Sequence, residues 1–180
     1  MKKRRRDYPQ EIKDLLKYKN DIRLVEDDEW EEFEDLYTRA VNSVVIPIDL
    51  TPRGITRINA EVDQIYSLAR FDQAYAKRML DKYKGRLANA HKQAKLGFKR
   101  TPGSTIEDRD ALVTMYLETS PLKGDSEPLY VLVERWQDRQ LFMSAVIDTL
   151  TRKSDRMITG NGALKLDAQG RGNGGDFGDD

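Results

Sequence analysis

Arg70, Lys77, Lys84 and His91 recur every seven residues, and Arg78, Lys82, Arg86, Lys92 and Lys95 lie between and beyond them. On a helix this spacing makes a stripe of cations, and a row of positive charge on a rod suits a rod-like polyanion. Nucleic-acid phosphates are the commonest partner of that kind, and each phosphate neutralised releases counterions, so such binding falls with salt. Tyr75, Tyr83 and Phe98 are interleaved with the cations. Bases stack on rings while a backbone follows charge, which is how single strands are held. Tyr83 also falls in an apolar seam, so Tyr75 and Tyr83 read first as core aromatics and second as stacking platforms. Phe98, beside Lys99 and Arg100, is the better stacking candidate.

The charge of the chain is segregated. Residues 70–100 hold ten Lys/Arg against two Asp, residues 26–35 hold eight carboxylates and no cation, and the formal net charge is zero. Opposed patches of this size point to partners: nucleic acid, another subunit, or the acidic run itself. A third charged feature is the run of five cations at 2–6, read as a flexible basic arm, with phosphate binding and a targeting signal as the alternatives.

Other chemistries find little support. The chain has no cysteine and a single histidine, His91, so neither a thiolate zinc site nor a histidine metal cluster is expected, and no metal or cofactor is assigned. No nucleophile elbow, dinucleotide fingerprint or Walker loop occurs, and no partner at a definable spacing orients His91 as a base. The protein is therefore expected not to be an enzyme. The longest apolar run, 44–48, is broken by Pro47 and is far too short for a membrane span, and the basic start lacks the apolar stretch of a signal peptide. A location in the cytoplasm is the expectation, the host cytoplasm if the chain is of phage origin.

The elements that must carry these residues read as helices. With 38% hydrophobic and 34% charged residues, the 180-residue chain is polar for a globule and suits elongated helices, as one domain with arms. Asp7 as N-cap and Pro9 in the first turn open a short helix to about Leu24 through Ile12, Leu15, Leu16 and Ile22. In the acidic run Trp30, Phe33, Leu36, Tyr37, Ala40 and Val41 share one face. Pro47 makes 44–48 an extended linker or edge segment rather than a central strand, and Thr51-Pro52 opens a helix to about Leu96. Its seam is Ile55, Ile58, Val62, Ile65, Ala69, Ala76, Met79, Tyr83 and Ala90, interrupted by Asp72 and Arg86.

Gly97 and Thr101-Pro102-Gly103 end that helix in a loop whose cations stand beside the next helix N-terminus, a place where anions bind readily. Ser104 with Glu107 reads as a capping box for a helix through Leu112, Val113, Tyr116 and Leu117. Pro121, Gly124 and Pro128 mark a turn. A last long helix, about 129–158, carries a second seam of Leu129, Leu132, Val133, Trp136, Met143, Val146, Ile147, Leu150 and Met157. Gly160-Asn161-Gly162 reads as a turn before a short alternating piece at 163–166. Residues 169–180 are too poor in apolar side chains to order; they read first as a solubilising tail and second as a peptide ligand for a basic partner through Phe177, Asp179 and Asp180.

The expected fold is all-α: an elongated helical hairpin of two long helices with short flanking helices and a disordered acidic C-terminal tail. Its parts are a basic arm at 1–6, short N-terminal helices with the acidic segment at 7–45, the hairpin at 51–168 and the tail at 169–180. Seams with a coiled-coil period are expected to assemble subunits into a homo-oligomer.

The patch Asp81-Lys82-Tyr83-Lys84-Gly85-Arg86 in the first long helix, with Trp136 and Ile147 in the last, resembles phage recombination mediator proteins of the UvsY type in the order of elements over 51–168. The resemblance implies a ring-forming helical protein that binds single-stranded DNA, displaces single-strand-binding protein and loads a recombinase. The first fifty residues and the acidic Gly-rich tail depart from that pattern. On this reading the chain is a single-stranded-DNA-binding adaptor in phage recombination or replication. Arg70, Lys77, Arg78, Lys82, Lys84, Arg86, Lys92, Lys95, Phe98, Lys99 and Arg100 would hold the nucleic acid, and a recombinase or single-strand-binding protein would be the protein partner. The rival is a virion assembly protein, a scaffold, neck or packaging component whose opposed patches join subunits head to tail. A transcription regulator would need a basic recognition helix in a helix-turn-helix, which the chain lacks.

Overall fold

The structure of the protein, a computed structural model, describes residues 8–17, 22, 25, 27–48, 51–98 and 105–172, with the backbone alone at 98, 161 and 163–172. Among the described residues there are five helices and no strand: α1 (Gln10–Lys17), α2 (Trp30–Ser43), α3 (Pro52–Phe98), α4 (Ile106–Thr119) and α5 (Leu129–Gly172). No helix among them is long and apolar enough to cross a membrane. The chain divides into two compact units, Met1–Phe71 with Ser144–Asp180, and Asp72–Met143. This division runs through both long helices rather than along the linker between α2 and α3.

In the first unit, α1 packs on α2 and buries Ile12 and Leu15. Pro9 precedes α1 and accepts from the Lys13 amide at 3.1 Å, and Ile22 lies buried in a turn, so the helix expected to run to Leu24 has ended by there. Asp7 lies outside the described residues. Helix α2 buries Phe33, Leu36, Tyr37, Ala40 and Val41 and turns its carboxylates outward. Trp30 stacks on Phe33 with centroids 5.1 Å apart and donates its indole N–H to Glu34 at 2.8 Å, so the ring keeps both an apolar neighbour and a hydrogen bond. At the other end Val44 is extended, and residues 44–47 form the expected linker.

Thr51 opens α3 as predicted: its hydroxyl accepts from the Gly54 amide at 3.1 Å and its carbonyl from Ile55 at 2.9 Å. Ile55, Ile58, Val62, Ile65 and Ala69 of α3 are buried, as are Val146, Ile147, Leu150 and Met157 of α5. These parts of the two seams are thus covered within the single chain. Lys153 of α5 donates from Nζ to the carbonyls of Val41 and Val44, each at 2.6 Å, and so caps the C-terminal end of α2.

The second unit joins the later part of α3, α4 and the early part of α5 around Ala90, Val113, Leu117, Leu129 and Leu132, with Tyr83, Leu87 and Leu122 packed against them. Tyr75 meets Trp136 edge to face with centroids 5.7 Å apart, and His91 Nε2 lies 2.8 Å from the Tyr130 hydroxyl, which sets the two helices antiparallel here. Leu80 is buried and Met79 only half so. A straight helix drifts about 20° per heptad from a 3.5-residue repeat, which is why the seam slips by one position.

Three features depart from expectation in α4 and α5. The capping box is one residue later than predicted: Thr105 Oγ1 accepts from the Asp108 amide at 3.1 Å, and Asp108 accepts from the Thr105 amide at 3.0 Å. The Thr105 hydroxyl, donating to the Asp108 carboxylate at 2.7 Å, and the Thr105 amide together favour the ionised form and hold Asp108 below its ordinary range. Only Val113 and Leu117 of α4 are buried, while Leu112, Met115 and Tyr116 are exposed. Finally, α5 runs on through Gly160-Asn161-Gly162 to Gly172, where a turn, an alternating piece and the start of a tail were expected. Extending an existing helix fixes one residue per hydrogen bond, and an internal glycine costs only about 1 kcal/mol. Residues 173–180 lie outside the described residues.

Candidate nucleic-acid interface

The basic stretch is carried by a helix whose other side is packed against α4 and α5. At 3.6 residues per turn, Lys77, Arg78, Lys82, Lys84 and Lys92 fall within roughly half the circumference of α3. The opposite half holds Ala76, Leu80, Tyr83, Leu87, Ala90 and Ala94. All five cations are exposed. Among the described residues no ion pair involves Lys77, Arg78, Lys84 or Lys92, and Asp81 is the one carboxylate within their arc. Lys82 Nζ stands 5.5 Å from the Tyr83 ring centre.

The remaining candidates have other places. Arg86 Nη1 and Nη2 donate to Asp125 Oδ1 and Oδ2 at 2.8 and 2.6 Å, and its guanidinium also lies 5.6 Å from the Tyr83 ring centre. The bonds to Asp125 favour the charged guanidinium and raise its pKa further. Arg86 thus ties α3 to the turn before α5. That turn is closed by the Asp125 amide donating to Leu122 at 2.9 Å and passes through Gly124 at φ 93°, a conformation that favours glycine. Lys95 pairs with Asp110 of α4 at 2.9 Å, at an exposed position. Arg70 belongs to the first unit, where its guanidinium lies 5.8 Å from the Tyr66 ring centre.

His91 closes the seven-residue row yet is half-buried against Tyr130, because the same drift carries such a row toward the packed side of a straight helix. Tyr75 and Tyr83 are engaged with Trp136 and with the core. Phe98 ends α3, and its side chain, together with Lys99, Arg100, Phe177, Asp179 and Asp180, lies outside the described residues.

Other charged positions were missed from the sequence. Glu61, Asp72 and Arg139 are buried, and Lys153 is a cap rather than a surface cation. Burial pushes the Glu61 carboxyl above its ordinary range, with Arg57, 3.3 Å away, partly opposing it. Burial likewise lowers the Lys153 ammonium, with Arg156 adding to the effect. Asp72 had shown as a polar break in the seam and Gly124 as a turn, but neither pattern indicates that Asp72 is buried or that Asp125 pairs with Arg86.

A groove of about 560 Å³ on α4 and α5 is lined by Glu118, Glu134 and Asp138 with Tyr130, Val131, Val133 and Gln137. Its lining has carboxylates and no cation, so it repels phosphate. Among the described residues no group of three or more His, Asp or Glu is placed to hold a metal ion. The exposed face of α3 offers charge without a pocket, an arrangement that suits an extended polymer better than a compact ligand. No protein-family model, curated protein or solved structure matches the chain.

Proposed function

We propose that the protein is a non-enzymatic helical adaptor that binds the backbone of single-stranded nucleic acid along the outer face of α3. The observation that carries this reading is the set Lys77, Arg78, Lys84 and Lys92, four exposed cations on one arc without ion-pair partners among the described residues. Their shared arc, opposite packed side chains, makes a surface that can follow phosphates without reading bases. The resemblance of 51–168 to phage recombination mediators supports recombinase loading as the process and an elongated hairpin with an acidic tail as the frame. In that frame Phe177, Asp179 and Asp180 engage a recombinase or single-strand-binding protein.

The test is anisotropy of a labelled single-stranded oligonucleotide titrated with the chain at several salt concentrations. Wild type is expected to bind at low salt, and the variant with Lys77→Glu, Arg78→Glu, Lys84→Glu and Lys92→Glu to lose binding while keeping its helical circular dichroism. Equal affinity in the two proteins, or no binding by wild type at low salt, overturns the proposal.

A further inference from the structure

The proposed function makes no use of the second large charge patch, whose charge is complementary to the first. Helix α2 buries one side and exposes Glu31, Glu32 and Asp35 on the other, with Asp28 exposed just before the helix. Asp35 is engaged by Arg39 at 2.8 Å, whereas among the described residues no ion pair involves Asp28, Glu31 or Glu32. At 1.5 Å rise per residue, Glu31 to Asp35 spans about 6 Å and Lys77 to Lys84 about 10 Å, so one row can lie along the other. Each patch repels itself, and together they leave a chain of zero formal charge.

We propose that the outer face of α2 in one copy of this chain docks on the Lys77, Arg78 and Lys84 face of α3 in a second copy. The docking rests on the reading of that face as a polyanion site and adds a second occupant for it. A carboxylate row on a helix presents negative charge in a line, as a strand of phosphates does, so the two compete for the same cations. Because patch and counter-patch differ, the contact is heterologous: copies join head to tail and either close into a ring or continue as a filament. Rim charges of this kind hold partners weakly and yield to salt. Nucleic acid, whose row of phosphates continues past the ends of the short α2 face, then displaces α2 and frees subunits from the assembly.

Sedimentation of the full chain tests this at about 0.01 M salt, where charges act over about 30 Å, and at about 1 M, where they act over about 3 Å. Wild type is expected above monomer mass at low salt and at monomer mass at high salt. An acidic-face variant (Asp28→Lys, Glu31→Lys, Glu32→Lys) and a basic-face variant (Lys77→Glu, Arg78→Glu, Lys84→Glu) should each be monomeric alone and associate when mixed. One chain carrying all six changes should associate again. Asp28→Asn with Glu31→Gln and Glu32→Gln removes the charge without placing cations at a helix start, and should also be monomeric. A monomeric wild type at low salt, association of either single-face variant alone, or a mixture that stays monomeric overturns the docking. The oligonucleotide titration separates this from the functional reading. The acidic-face variant keeps its basic face, so it should bind nucleic acid more tightly than wild type, and unchanged affinity would show that α2 does not compete there.

Discussion

Arg86 of α3 and Asp125 of the turn before α5 form a two-pronged ion pair at 2.8 and 2.6 Å, 39 residues apart in sequence. The carboxylate is nearly buried, with 8% of its side chain exposed, while the guanidinium keeps 37%. Removing either partner therefore has unequal consequences. Arg86→Met strands a carboxylate away from water and should cost about 2 kcal/mol, whereas Asp125→Asn leaves a guanidinium that can still reach solvent and should cost about 1 kcal/mol. A double-mutant cycle by urea denaturation measures the coupling, and additive losses would deny it. Arg86→Met should leave oligonucleotide affinity within about twofold once the protein is folded, since one cation among several is lost.

Lys153 makes a comparable claim about α2. Its ammonium donates to two carbonyls at the end of that helix, where the dipole is negative. Lys153→Met keeps the aliphatic stem and removes both bonds, so the chain should lose about 1–2 kcal/mol in urea denaturation. Loss of less than about 0.5 kcal/mol would mean that water replaces the ammonium freely.

These two contacts mark the limit of what the sequence discloses. Local periodicity was enough for the α2 face from Phe33 to Val41, the Thr51 start of α3 and most of the α5 seam, because an apolar stripe is set by spacing within one helix. It could not pair Arg86 with Asp125 or Lys153 with Val41, since such pairings depend on how the chain returns on itself. The seven-residue row misled at His91 for a related reason: a repeat in sequence is not a straight line on a helix of 3.6 residues per turn. In α4, apolar residues lie on all sides, and spacing alone did not show that Leu112 and Tyr116 face outward. At Gly160 and Gly162 the cooperativity of a helix already formed outweighed the local turn signal.

Glu61 should give the chain a characteristic pH response. Its folded pKa is raised above the ordinary 4.5 by burial, so the protonated form is the one the fold prefers. The stability it contributes is fully present below about pH 4.5 and is lost as pH rises through the raised value. Glu61→Gln removes that titration: the variant should equal or exceed wild type in stability at neutral pH, and the difference between them should shrink toward pH 4.5. Arg57→Ala takes away the opposing charge and should steepen the wild-type decline. Parallel curves for wild type and Glu61→Gln across this range would exclude the buried carboxyl as the cause.

The basic face of α3 makes a quantitative claim about how a polynucleotide is held. Tyr75 packs on Trp136 and Tyr83 packs against the core, which leaves both rings half-buried and already engaged. Affinity should then come from charge alone on this face. Four cations neutralising four phosphates of a single strand give a log–log salt slope of about −3, at about 0.7 per contact. Lys77→Ala with Lys84→Ala should reduce the slope by about 1.4 and weaken binding to every sequence alike. Tyr75→Leu should cost stability through the lost edge-to-face contact, about 1 kcal/mol beyond the area buried, while leaving the slope and the affinity of the folded fraction unchanged. A base-stacking role predicts the reverse, because a stacked base is worth about 1–3 kcal/mol and carries no salt dependence of its own. Anisotropy titrations of the two variants against one oligonucleotide at four salt concentrations separate the cases. A Tyr75→Leu protein that stays folded yet binds tenfold more weakly at every salt would place an aromatic ring, rather than the row of cations, at the centre of recognition.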